Sequence, residues 1–119
     1  VSNLTGLPPR QKPQKPPPAG GHMAWVKTLP CCVCGRAGPS DAHHVIHDRY
    51  GARRASDWEV VPLCREHHLG GTSAIHTGKE TWREYHGPDW SYLPAVLELA
   101  GLSHMLAVVG RDADGKPLR

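Results

Sequence analysis

A chain of 119 residues with a net charge of +3 and a pI near 8.8 has room for one small domain plus tails. Phenylalanine is absent and apolar residues make up 39%, so the core is modest and a metal or disulfide staple is a reasonable expectation. No apolar run approaches a membrane span and no secretory h-region is present, so a cytoplasmic setting without a membrane partner is expected.

Residues 1–24 hold half of the chain's prolines, together with Arg10, Lys12 and Lys15, and no acid precedes Asp41. Such a segment cannot bury enough apolar surface to offset its ordering entropy. It is expected to be a disordered, polyproline-like tail, either a solvated linker or a basic arm that touches phosphates. The ordered domain is expected over residues 25–110. Its first feature, "PCCVCGRAG", reads as a metal-binding knuckle turn. "SDAHHVI" follows as a strand, with Ala42, His44 and Ile46 on one face and His43 and Val45 on the other. "HDRYGARRAS" is a polar loop, and "DWEVVPL" is a second strand.

A helix is expected near Cys64 in "CREHHL", interrupted by "GGTS". "GKETWREYHG" reads as a short amphipathic helix carrying Trp82 and Tyr85. "PAVLELAGLSHMLAVV" carries a third helical pattern, with Pro94 suited to its first turn and Gly101 weakening it. Residues 111–119 read as a polar tail. The fold class is α+β. Trp58, Trp82, Tyr85 and Trp90 are expected to pack in the core or between helices.

Cys31 and Cys34 are separated by two residues, and so are Cys64 and His67. Two such half-motifs match a tetrahedral Zn²⁺ site of three thiolates and one imidazole. The x2 gap in a turn brings two ligand atoms roughly one tetrahedron edge apart, whereas Cys32 has the wrong reach and is the spare thiol. A redox or disulfide CxxC is the competing reading.

Seven of the nine histidines lie between positions 43 and 86. His43 and His44 are consecutive, so on a strand they point to opposite sides. One can then bind a metal while its neighbour stays free to act as a base. His68 directly follows the zinc-ligand candidate His67, and the Gly-rich bend before His76 can fold its ring back toward His68.

The order CxxC, "AHHV", "VPLCREHH", "IHTGKETW" resembles the HNH endonucleases, and more closely the phage and prophage recombination-enhancement (Ref) type, over about Leu29 to Gly87. The resemblance implies a ββα-metal (His-Me finger) fold, here with a zinc knuckle, a disordered N-terminal tail and extra C-terminal helices. It also implies a metal-dependent DNA endonuclease or nickase. By position it places His44 as general base, His43 and His68 as ligands of a catalytic cation, and His76 as a third ligand candidate. The family often has an asparagine in its middle motif to orient the base. This chain has none there, and Asp57 or Glu59 is the substitute.

The chemistry is compatible with those residue types. An ordinary imidazole, with a pKa near ~6.5, can take a proton from water at neutral pH. A divalent cation can polarise the phosphate and stabilise the leaving oxygen. Imidazole ligands favour Zn²⁺, Ni²⁺ or Co²⁺ over Mg²⁺ or Mn²⁺, which remain candidates with water completing the shell. Arg49, Arg53 and Arg54 in the polar loop are candidates for contacting DNA phosphates, as are Arg10, Lys12 and Lys15 in the tail. A recombinase filament or another phage or host DNA-processing protein is a partner implied by the resemblance alone. The alternative function is a zinc-stabilised DNA-binding or adaptor module without catalysis.

Overall fold

A computed structural model of the chain describes residues 19–49 and 54–118. The expected tail cations Arg10, Lys12 and Lys15, and Arg53 of the polar loop, lie outside the described residues.

The first helix, α1, runs Gly20–Val26 and buries His22 and Val26. Composition predicts a tail that extends to residue 24, but the ordered domain begins earlier, with α1. Two glycines make a poor helix start. Packing decides the matter: Met23, Trp25 and Val26 all pack in or against the apolar core.

Strands β1 (Asp41–His44) and β2 (Val60–Leu63) form a two-stranded antiparallel sheet, with Asp41 opposite Leu63, Ala42 opposite Pro62, His43 opposite Val61 and His44 opposite Val60. The expected alternation holds, since His43 and Val45 are buried while Ala42, His44 and Ile46 are only partly covered. All four residues of β2 are buried. Pro62 is tolerated there because it needs no ladder donor at a sheet edge, and its carbonyl still accepts from the Cys32 N–H at 2.9 Å.

Helix α2 (Arg65–His68) follows β2 directly, so two strands and a short helix form one unit. Helix α3 (Lys79–His86) buries Trp82 against the core, but Tyr85 is 79% exposed, which corrects the expectation that it packs inward. A 3₁₀ turn (Asp89–Tyr92) leads into α4 (Leu93–Leu99), with a proline in its first turn, and α5 (Met105–Val108) follows. Gly101, at φ 72°, separates the last two helices. The Leu102 N–H reaches the Leu97 carbonyl at 2.8 Å and the Gly101 N–H reaches Glu98 at 3.0 Å, a Schellman cap that stops α4.

The C-terminal stretch is not a free tail. Arg111 is buried and its guanidinium donates to Glu59 Oε1 at 2.7 Å and to the Gly115 carbonyl at 2.8 Å. A bridge between Arg111 and Pro117 folds the stretch back on the domain. The buried Glu59 carboxylate supplies the reason, since such a charge needs a cation beside it. Among the described residues no helix is long and apolar enough to cross a membrane.

Candidate metal clusters and cleft

The knuckle turn and the start of α2 build the first cluster. The Gly35 N–H closes the turn on the Cys31 carbonyl at 2.9 Å, and its φ of 74° is one that glycine adopts without strain. Cys64 precedes α2 as its N-terminal cap, and His67 lies three residues on, within the same turn of helix. Cys34 Sγ is 3.9 Å from Cys64 Sγ, and Cys64 Sγ is 3.2 Å from His67 Nδ1. Donor atoms of Cys31, Cys34, Cys64 and His67 all lie within 4.8 Å of one another, close enough to hold one metal ion. All four cysteines are free thiols, so the disulfide reading of the CxxC is not realised. Cys32 stands apart: burial, then the neighbouring Cys31, pushes its thiol up to about 12, so at neutral pH it is an uncharged side chain packed against the core.

The second cluster joins β1, α2 and the bend after it. Ring nitrogens of His43, His68 and His76 lie within 4.8 Å of one another, and the ring centroids are 4.9–5.3 Å apart. His76 returns because Ile75 is fully buried and its N–H binds the His67 carbonyl at 2.8 Å. Two carboxylates set the rings. His43 donates through Nε2 to Asp89 Oδ2 at 2.9 Å, and His68 through Nδ1 to Asp41 Oδ2 at 2.9 Å. A carboxylate only accepts, so each bond fixes a tautomer and leaves the other ring nitrogen with its lone pair. That nitrogen on His43, Nδ1, is buried with no hydrogen-bond partner. A cation at the cluster would satisfy it, so the residues fit a bound metal. Burial holds His43 below the ordinary imidazole pKa despite Asp89, and burial followed by the nearby His43 does the same to His76. Both are therefore neutral and able to act as ligands at pH 7.

His44 lies beside the cluster, on the other face of β1. Its Nε2 donates to Asp57 Oδ1 at 2.8 Å, which leaves Nδ1 free to accept a proton. The ring is about 41% exposed, so water reaches it. Of the two orienting candidates, only Asp57 touches His44; Glu59 is committed to Arg111 and to the Ser56 N–H. A cleft of ≈ 490 Å³ brings His43, His44, Asp57, His68 and His76 together, and Arg49 and Arg54 line it as well. Asp48 beside Arg49 is already engaged, by both terminal nitrogens of Arg83 at 2.9 Å and by the Trp90 indole at 2.9 Å.

Two site residues escape the sequence reading, Asp41 and Asp89. Asp41 precedes His43 by two on the strand, so alternation already places both on one face. Asp89 is 46 residues from His43 and carries no local signal.

Comparison with known proteins places these residues in a family context. No solved structure matches the chain. "Uncharacterized protein YdfU" of Escherichia coli (strain K12) is 38% identical over 68 residues, which are 56% of this chain and 18% of that relative. The family described as "Protein of unknown function (DUF968)" matches residues 12–102, which include both clusters and the cleft. The chain therefore belongs to the DUF968 family.

Proposed function

We propose that the chain is an HNH-type, metal-dependent endodeoxyribonuclease domain that hydrolyses DNA phosphodiester bonds, with a structural Zn²⁺ at Cys31, Cys34, Cys64 and His67. The observation that carries this reading is the pairing of His44 and Asp57 on the wall of the cleft that holds the three-imidazole cluster. A module that only binds DNA has no use for an oriented, unliganded imidazole beside a second set of metal donors.

In this reading His44 Nδ1 takes a proton from the attacking water, and the resulting imidazolium is stabilised through Nε2–H by Asp57. Arg49 and Arg54, which line the cleft, offset phosphate charge. A divalent cation held by His43, His68 and His76 would supply charge stabilisation at the phosphoryl group and the leaving 3′-oxygen. Three imidazole donors favour Zn²⁺, Ni²⁺ or Co²⁺ over Mg²⁺. A role in phage recombination, with a recombinase filament as partner, rests on the sequence likeness alone.

The test is incubation of the purified chain with supercoiled plasmid and a panel of divalent cations. Nicked or linear product that depends on a cation and on His44 supports the reading. Inactivity with every cation and DNA form would favour the non-catalytic zinc-stabilised module instead.

A further inference from the structure

Asp89 opens the 3₁₀ turn after α3, and its side chain is fully buried. A buried carboxylate is tolerated when its oxygens are hydrogen-bonded and its charge is countered. The first condition is met. Oδ2 accepts from His43 Nε2 at 2.9 Å and from the Ile46 N–H at 2.6 Å, and Oδ1 accepts from the His47 N–H at 3.2 Å.

The second condition is not met by a lysine or an arginine. Among the described residues no lysine or arginine forms an ion pair with Asp89. His47 Nδ1 lies 3.3 Å from Oδ1, but it already accepts the Asp89 backbone N–H at 2.9 Å. The other nitrogen of His47 donates to the Lys79 carbonyl at 2.9 Å. In this bonding one nitrogen of His47 accepts and the other donates; against burial, the hydrogen bonds to Asp89 and to the Lys79 carbonyl raise its pKa. On the far side of the His43 ring, Nδ1 is buried and unbonded. Among the described residues, one ring thus separates a buried carboxylate that no lysine or arginine pairs from an unsatisfied lone pair, and a cation at the cluster answers both.

We infer that Asp89 is a positioning residue for the cation site: it holds the His43 ring with Nδ1 presented to the cluster, and its buried charge strengthens that site's hold on a divalent cation. This rests on the three-imidazole cluster being the cation site proposed above. Carboxylates bonded to the remote nitrogen of a ligand histidine orient the ring and raise its basicity, and their loss typically costs on the order of 10–100-fold in metal affinity. Asp41 does the same for His68 from a partly exposed position, without the buried charge.

Asp89→Asn removes the charge. An amide oxygen at the Oδ2 position keeps the bonds to His43 and Ile46, while the NH2 at the Oδ1 position faces the His47 N–H in place of an acceptor. The experiment is a Co²⁺ titration by calorimetry of the full chain, with its thiolate site filled with Zn²⁺. We expect Asp89→Asn to bind Co²⁺ on the order of 10–100-fold more weakly than wild type. Asp57→Asn, which alters the cleft without touching the cluster, should bind normally. Co²⁺ should also raise the melting temperature of wild type more than that of Asp89→Asn, a difference that a purely structural role would not produce.

A second measurement needs no variant. Long-range ¹H–¹⁵N spectra of wild type without Co²⁺ should show His43 protonated at Nε2. Equal Co²⁺ affinity of wild type and Asp89→Asn, or an Nδ1-protonated His43, overturns the inference and leaves the cation site standing. A wild type that binds no Co²⁺ beyond its thiolate site removes the site and the inference together. If Asp89→Asn does not fold, the tautomer decides.

Discussion

His67 and His68 are consecutive on one short helix, yet each belongs to a different cluster. The thiolate cluster brings four donors together, two of them on buried cysteines. The imidazole cluster brings three, and its residues run from the buried His43 to the exposed His76 at a cleft. Four protein donors complete a tetrahedron, whereas three leave a position for water or substrate. The difference teaches that donor number and access to solvent, rather than the presence of histidine, separate a site suited to stapling a small core from one suited to chemistry.

The largest effect that can test this contrast is loss of the staple. Cys64→Ser and His67→Ala should abolish cooperative folding, because apparent binding free energies of structural zinc, about 10–16 kcal/mol in zinc-finger peptides, are folding free energy. Circular dichroism melts and elemental analysis check this, with Cys32→Ser expected to retain both fold and metal. Equal damage from Cys32→Ser would break the assignment of ligands.

Next in size is the chemistry. His44→Ala should reduce plasmid cleavage on the order of 10²–10⁴-fold while melting temperature and metal content stay near wild type. His68→Ala should also stay folded but lose activity through the cation site, so excess divalent cation should restore part of its rate and none of that of His44→Ala. Unfolding of His68→Ala as complete as that of His67→Ala would erase the distinction between neighbours.

Acid should reveal a smaller effect. Burial lowers the pKa of His22, His43, His76 and His86. In the unfolded chain these groups titrate near ~6.5. The native state therefore binds fewer protons between the folded values and ~6.5. The stability contribution is complete above that pH and is lost as pH falls through the folded values. His22 separates this effect from metal loss, since it lies against Trp25 and Trp58 with Nε2 buried and unpartnered. His22→Phe should flatten part of the decline in urea midpoint between pH 7 and 5 and should cost little at pH 7. An unchanged pH profile would count against it.

The smallest effect is expected at the N-terminus. Removing residues 1–18 deletes Arg10, Lys12 and Lys15. DNA affinity should fall and its salt dependence flatten, because fewer counterions are released, while the melting temperature stays unchanged. Equal salt slopes for the two forms would return the segment to the role of a linker.

Much of the framework is legible in the order of residues. The Cys31/Cys34 and Cys64/His67 spacings are local, and a turn and a helix start turn such spacings into geometry with little freedom. The alternation that buries His43 and leaves His44 accessible follows from the period of a strand. Gly101 shows in the sequence as a weak point of the third helical pattern, and there the structure splits that pattern into α4 and α5, at a left-handed backbone that glycine takes at little cost. These features depend on neighbours along the chain, and the sequence by itself determines them.

Contacts across the fold decide the rest. Composition hid α1 because glycine and proline dominate the approach to it, while its helix is held by burial against distant residues. Residues 111–119 read as a tail because their polarity gives no hint that Arg111 neutralises Glu59, 52 positions away. Asp57 rather than Glu59 orients His44 because Glu59 is claimed by that same arginine. Asp89 reaches His43 only because the turn after α3 packs on β2, the partner strand of β1. A buried ion pair or hydrogen bond between remote residues leaves no periodic trace in either segment, so only the tertiary structure could decide which carboxylate serves which histidine.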